Sequence, residues 1–159
     1  MAAAPKSDPQ RERLYRMERA CFKGWDVGRM TVSQIEQWVK KVARKYGVRV
    51  PVIVTKELPG YAGEYWEGRI TLCSRKESGK TLLTLTHEMA HHVHEQLGDA
   101  EKDEAHGPEF LTCYVHLLHT LKLVPALAMH VICETHRLDH YPFRKTPTPD
   151  RLRRLITPT

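Results

Sequence analysis

His87-Glu88-Met89-Ala90-His91 sets two imidazoles four residues apart, with a carboxylate beside the first. On an α-helix, positions four apart share a face. His87 and His91 can therefore turn their rings toward one metal ion, and zinc suits such a pair. Glu88 stands close enough to take a proton from a water in the ion's open position. The pattern proposes a cofactor, one Zn2+ per chain, and a reaction, peptide-bond hydrolysis with Glu88 as general base. The chain has ten histidines, so the match needs support from the residues around it.

That support is a helix. Leu82, Leu85, Met89, Val93 and Leu97 recur at i, i+3, i+4 and i+7, a core-facing stripe within Thr81 to Leu97. His87 and His91 fall off the stripe, on a neighbouring face where a cleft can open. Gly98 is the expected helix stop. A catalytic zinc takes three protein ligands and keeps one position open. The candidates for the third are His94, His106, Glu101, Glu104 and Glu109. His94 shares the face, but seven residues rise about 10.5 Å along the axis. Three rings so spaced converge poorly on one ion, so His94 reads as a residue at the rim, one that supports the ligands from behind, or a solvated one. His106 follows the polar stretch 98–105, which lets the chain double back. It precedes Gly107-Pro108, a helix-opening pair, and the apolar run Phe110, Leu111, Tyr114, Leu117, Leu118, Leu121. A ligand at the mouth of that helix is rigidly held, and His106 is the favoured third residue.

HEMAHH, a polar loop and then HGPEF together resemble the SprT-like metalloproteases, the group that includes the Spartan-type DNA–protein crosslink proteases. Tyr61-Ala62-Gly63 followed by Arg69-Ile70-Thr71-Leu72 is similar to that group's strand preceding the zinc helix. The resemblance spans about residues 31–122. It implies that His87, His91 and His106 bind zinc and that Glu88 is the catalytic base. Many members carry a C-terminal zinc ribbon with paired cysteines. Here Cys21, Cys73, Cys113 and Cys133 form no CxxC, so no ribbon and no Cys-ligated structural zinc are expected.

The elements that must position these residues are also readable. Gln10 to Phe22 reads as a basic amphipathic helix, with Leu14, Met17 and Cys21 on one side. Thr31 to Tyr46 is a second, with Val32, Ile35, Val39, Val42 and Tyr46 inward. Thr31 with Gln34, or Ser33 with Glu36, supplies a capping box, and Gly47 the stop. Val50 to Thr55 reads as a strand; Gly63 to Trp66 and Arg69 to Cys73 form a hairpin about Glu67-Gly68. A last helix runs from Pro125 to about Arg137. The class is α+β and zincin-like: a small antiparallel or mixed sheet packed on helices, with HExxH on the central helix. The divisions are a basic N-terminal extension, 1–30, a metallopeptidase domain, 31–138, and a basic, Pro-rich tail, 139–159. A peptide substrate is expected to lie extended along the strand Arg69 to Cys73. Tyr65 and Trp66 line the cleft, stack on bases or simply pack the hairpin. Tyr114, His116 and His130 are candidates to stabilise the oxyanion.

Charge is uneven about a net +6. Residues 1–50 hold 12 Lys+Arg against 5 acids, residues 51–106 hold 6 against 10, and residues 107–159 hold 7 against 4. Basic ends flanking an acidic centre make DNA a candidate partner beside a protein or peptide substrate. The residues concerned are Lys40, Lys41, Arg44, Lys45, Arg144, Lys145, Arg151, Arg153 and Arg154. The plainer reading of the first four is the solvated face of a helix. No apolar run approaches membrane-spanning length. The polar start is unlike a signal peptide. Unpaired thiols then suggest a reduced, cytoplasmic setting.

Overall fold

The computed structural model describes residues 8–22, 29–97, 105–121 and 123–139. Among these residues, five α-helices and a three-stranded mixed sheet follow in the order α1 (Arg11–Cys21), α2 (Val32–Tyr46), β1 (Val52–Lys56), β2 (Gly63–Trp66), β3 (Arg69–Cys73), α3 (Leu82–Leu97), α4 (Pro108–Thr120) and α5 (Ala126–Thr135). The α+β class is as expected. Gly98, Glu101, Glu104, Arg144, Lys145, Arg151, Arg153 and Arg154 lie outside the described residues.

Local chemistry explains the helix bounds. The Thr31 hydroxyl accepts from the Gln34 amide at 3.2 Å, and the Gln34 side chain accepts from the Thr31 amide at 2.8 Å. This reciprocal cap satisfies two otherwise orphaned donors. Gly47 closes α2 in the left-handed region, φ 63°, where a Cβ is costly. Pro108 opens α4 at its first turn, where its missing N–H costs nothing. A 3₁₀ turn at Glu77–Lys80, not foreseen from periodicity, leads into α3. There the Thr81 hydroxyl accepts from the Thr84 amide.

β3 lies in the middle of the sheet, parallel to β1 and antiparallel to β2. This corrects the expected substrate strand. Both hydrogen-bonding edges of β3 are taken, so no peptide can pair along Arg69 to Cys73. Sequence reading sees the β2–β3 hairpin, because its turn is local. It does not see the non-local parallel partner that covers the other edge. The free edges belong to β1 and β2, and β2 is the strand packed beside α3.

One core joins the layers. Leu85, Met89 and Val93 of α3 meet Ile70 and Leu72 of β3, Ile35, Val39 and Val42 of α2, and Phe110, Tyr114 and Leu117 of α4. Leu82 and Leu97, at the ends of the α3 stripe, are only partly buried. Val32, placed inward by periodicity, is 46% exposed at the first turn of α2. Leu14 and Met17 of α1, with Phe22 just after it, belong to the same core. The boundary drawn at residue 30 therefore does not separate two cores: α1 is an integral layer of the domain. Cys21, Cys73, Cys113 and Cys133 form no disulfide with one another. No described helix is long and apolar enough to cross a membrane.

Candidate metal centre

α3 and the mouth of α4 bring His87, His91 and His106 together, their ligand-capable atoms all within 4.8 Å of one another. α4 packs against α3, and Gly107-Pro108 starts α4 immediately after His106. Among the described residues this is the group of His, Cys, Asp and Glu able to hold an ion. His94 is not part of it. It is buried at 3% exposure, not solvated. Its Nε2 lies 3.3 Å from Glu109 Oε2, so both of these alternative third ligands face each other rather than the centre.

The outer nitrogens of two of the histidines are fixed. His87 Nδ1 lies 2.7 Å from Glu18 Oε1, and His106 Nδ1 lies 2.6 Å from Asp8 Oδ2. With each Nδ1–H donated to a carboxylate, the Nε2 atoms turn inward, and they stand 3.3 Å apart. Two facing lone pairs at that distance repel unless a cation or a proton lies beside them. Nitrogens bound at about 2.0–2.1 Å on a tetrahedral ion are separated by about 3.3–3.4 Å. The donor set and its spacing thus fit a metal ion of zinc's size and preference. His91 is wedged between rings: Phe110 stacks on it at 4.2 Å between centroids, and Tyr65 lies nearly parallel at 6.2 Å.

Electrostatics separates the three imidazoles. Burial pulls His87 down, but the Glu18 carboxylate outweighs it and raises the pKa to about 9. Burial and the neighbouring His87 lower His106 to about 4, against the pull of Asp8. Burial, with His87 and His106 adding, holds His91 well below the ordinary histidine range. Burial pushes the Glu88 carboxyl up to about 7, opposed by His87.

Glu88 and His87 open onto a cleft of about 700 Å³, lined also by Tyr15, Tyr61, Gly63 and Thr84. Gly63 is the close approach that makes room for the carboxylate. A Cβ there would lie 2.9 Å from Glu88 Oε1 and 2.8 Å from Thr84 Cγ2. The expected oxyanion partners are elsewhere. Tyr114 is fully buried and donates its hydroxyl to Glu18 at 2.9 Å. His116 Nδ1 bonds the Tyr46 hydroxyl at 2.7 Å. His130 is an exposed α5 residue beside Glu134. None of the three lines the cleft. Tyr65 packs the hairpin: its hydroxyl accepts from the Gly68 amide and bonds His92 Nδ1, whose Nε2 reaches the Arg49 carbonyl. Trp66 is 72% exposed and lies outside the cleft lining.

Sequence reasoning missed Asp8, Tyr15, Glu18 and Gly63. A signal for Glu18 existed. Leu14, Met17, Glu18 and Cys21 follow i, i+3, i+4 and i+7, so Glu18 sits within the apolar stripe of α1 and must be buried against something. Lys40, Lys41, Arg44 and Lys45 are exposed on α2, apart from the cleft lining. Comparison with protein-family models, with characterised proteins and with solved structures finds no match to this chain.

Proposed function

We propose that the chain is a zinc-dependent peptide hydrolase of the SprT-like kind, with a zincin-like disposition of its helices and sheet. The observation that carries this reading is the convergence of three histidine nitrogens beside Glu88 at the wall of an open cleft. His87, His91 and His106 would hold the zinc. Zinc bound there would supply Lewis acidity toward a scissile carbonyl and the attacking water. Glu88 takes the proton of that water and delivers it to the leaving amine. A purely structural ion has no use for such a base, and usually closes its fourth position. The peptide pairs along the free edge of β2, the strand that Gly63 lets pass close to Glu88. Main-chain pairing of this kind tolerates many sequences. The exposed basic face of α2 supports a polyanion such as DNA as a second partner.

The test is cleavage of an unstructured polypeptide by wild type and Glu88→Gln, with single-stranded, double-stranded and no DNA. Glu88→Gln should keep zinc and lose about 10²- to 10⁴-fold in rate, the usual worth of a general base. Equal rates in the two proteins would remove Glu88 from the chemistry. Cleavage indifferent to DNA would favour a metallopeptidase with a dedicated protein substrate. No cleavage by wild type under any condition would favour a non-catalytic zinc module.

A further inference from the structure

We infer that Glu18 and Asp8, both from the N-terminal segment, are the positioning residues of the metal centre. The inference rests on the metal reading of the three histidines. A metal-binding imidazole needs its inner nitrogen unprotonated and its ring plane fixed, and a carboxylate accepting the outer N–H supplies both. Glu18 meets that requirement for His87, at 2.7 Å from Nδ1, and Asp8 meets it for His106, at 2.6 Å. Glu18 is itself held. The same Oε1 accepts from the Tyr114 hydroxyl on α4 at 2.9 Å, and the carboxylate is largely buried, its side chain 14% exposed. The α1 residues on either side, Leu14, Met17 and Cys21, pack on or into the core, so the helix cannot carry the carboxylate away without opening the domain. The backbone that carries Asp8 is tied down beside it: the Asp8 carbonyl accepts from the Arg11 amide, and the Gln10 side chain donates to the His106 carbonyl and to that of Asp139. α1 therefore serves the site as well as the core, although it precedes the stretch that carries the SprT-like motifs.

The chemistry of a neutral replacement makes the role testable. Gln at position 18 keeps the size but presents either an amide oxygen or an amide NH2 to His87 Nδ1. With the NH2 inward, the favoured tautomer moves the proton to Nε2, where the metal must bind. The experiment is a Zn2+ competition titration against a chromophoric chelator for wild type, Glu18→Gln, Asp8→Asn and Tyr114→Phe. Far-UV circular dichroism and melting of the metal-free proteins run alongside, with a long-range 1H–15N spectrum of the zinc-loaded forms. Glu18→Gln and Asp8→Asn should each weaken zinc about 10- to 100-fold while the metal-free fold is retained. Tyr114→Phe, which frees one lone pair of Glu18, should weaken it in the same direction by less. The wild-type spectrum should show His87 and His106 protonated at Nδ1. If Glu18→Gln does not fold, Asp8→Asn and the wild-type tautomers decide. Zinc affinities within threefold of wild type in folded variants would overturn the inference, as would wild-type rings protonated at Nε2. A wild type that binds no zinc would overturn the metal reading itself, and this inference with it.

Discussion

Gly63→Ala adds one methyl group at the point where β2 passes the base, and its effect can be worked from the contacts. The new carbon would sit 2.8 Å from Thr84 Cγ2 and 2.9 Å from Glu88 Oε1. Comfortable carbon contacts begin at about 3.5 Å, so the overlap with Thr84 is about 0.7 Å. Thr84 cannot yield easily: its hydroxyl is bonded to the Ser78 carbonyl at 2.7 Å, and β-branching stiffens it in the helix. β2 and α3 must separate, or Glu88 must swing aside. Overpacking of this kind costs about 1–3 kcal/mol, which for a chain of this length lowers Tm by roughly 2–12 °C. A displacement of the base approaching ~1 Å costs on the order of 10²-fold in rate. The three atoms nearest the new carbon belong to Thr84 and Glu88 and none to a histidine, so zinc affinity should stay within about threefold of wild type, well short of the 10- to 100-fold expected when a ligand's own support is lost. The assay pairs kcat/KM on an unstructured polypeptide with a zinc titration and a melt. Turnover unchanged in Gly63→Ala would refute the placement of Glu88 against β2. Loss of zinc together with turnover would show that the methyl disturbs the ligands and not the base.

Further outcomes follow from the same geometry. His106→Ala should lose zinc in mild dialysis, while His94→Ala and Glu109→Ala retain it. The reverse order would move the centre to a two-His, one-Glu type. Burial, with His119 and Lys45 adding, lowers His116 from 6.5 to about 4. Between those values the unfolded chain binds a proton that the folded chain refuses. The stability contributed is therefore complete above about pH 6.5 and is lost as the pH falls toward 4, by at most ~3 kcal/mol. Urea unfolding from pH 7 to 4 should show wild type losing more stability than His116→Asn; parallel curves would contradict it. Replacing Lys40, Lys41, Arg44 and Lys45 by Glu should reduce oligonucleotide binding at about 50 mM salt and flatten its salt dependence. Binding equal to wild type would take α2 out of any nucleic-acid contact.

What the sequence displayed was local. α2 was readable because Thr31, Gln34 and Gly47 are punctuation with a mechanism, and the interior stripe is regular. α3 and the opening of α4 are readable from their periodicity and from Gly107-Pro108, which is enough to bring His87, His91 and His106 close together. The strand order was not readable: Gly68 announces the β2–β3 turn, whose two central residues, Glu67 and Gly68, have positive φ, but nothing local announces that β1 pairs with β3. Functional polar residues at long separation were also hidden. Glu18 lies 69 residues from His87, and Asp8 lies 98 from His106. The apolar stripe of α1 marks Glu18 as buried, but nothing local names His87 as its partner. Periodicity marks Tyr114 as inward but not that its hydroxyl meets Glu18.

The most direct test of the metal centre is zinc K-edge absorption on the purified protein, together with elemental analysis after mild dialysis. The account predicts about one zinc per chain, with three nitrogen ligands at about 2.0–2.1 Å, a light-atom fourth position and no sulfur. It also predicts that zinc is lost on His87→Ala or His91→Ala. Protein without zinc, a zinc–sulfur distance near 2.3 Å, or an ion that survives removal of His87 would contradict it.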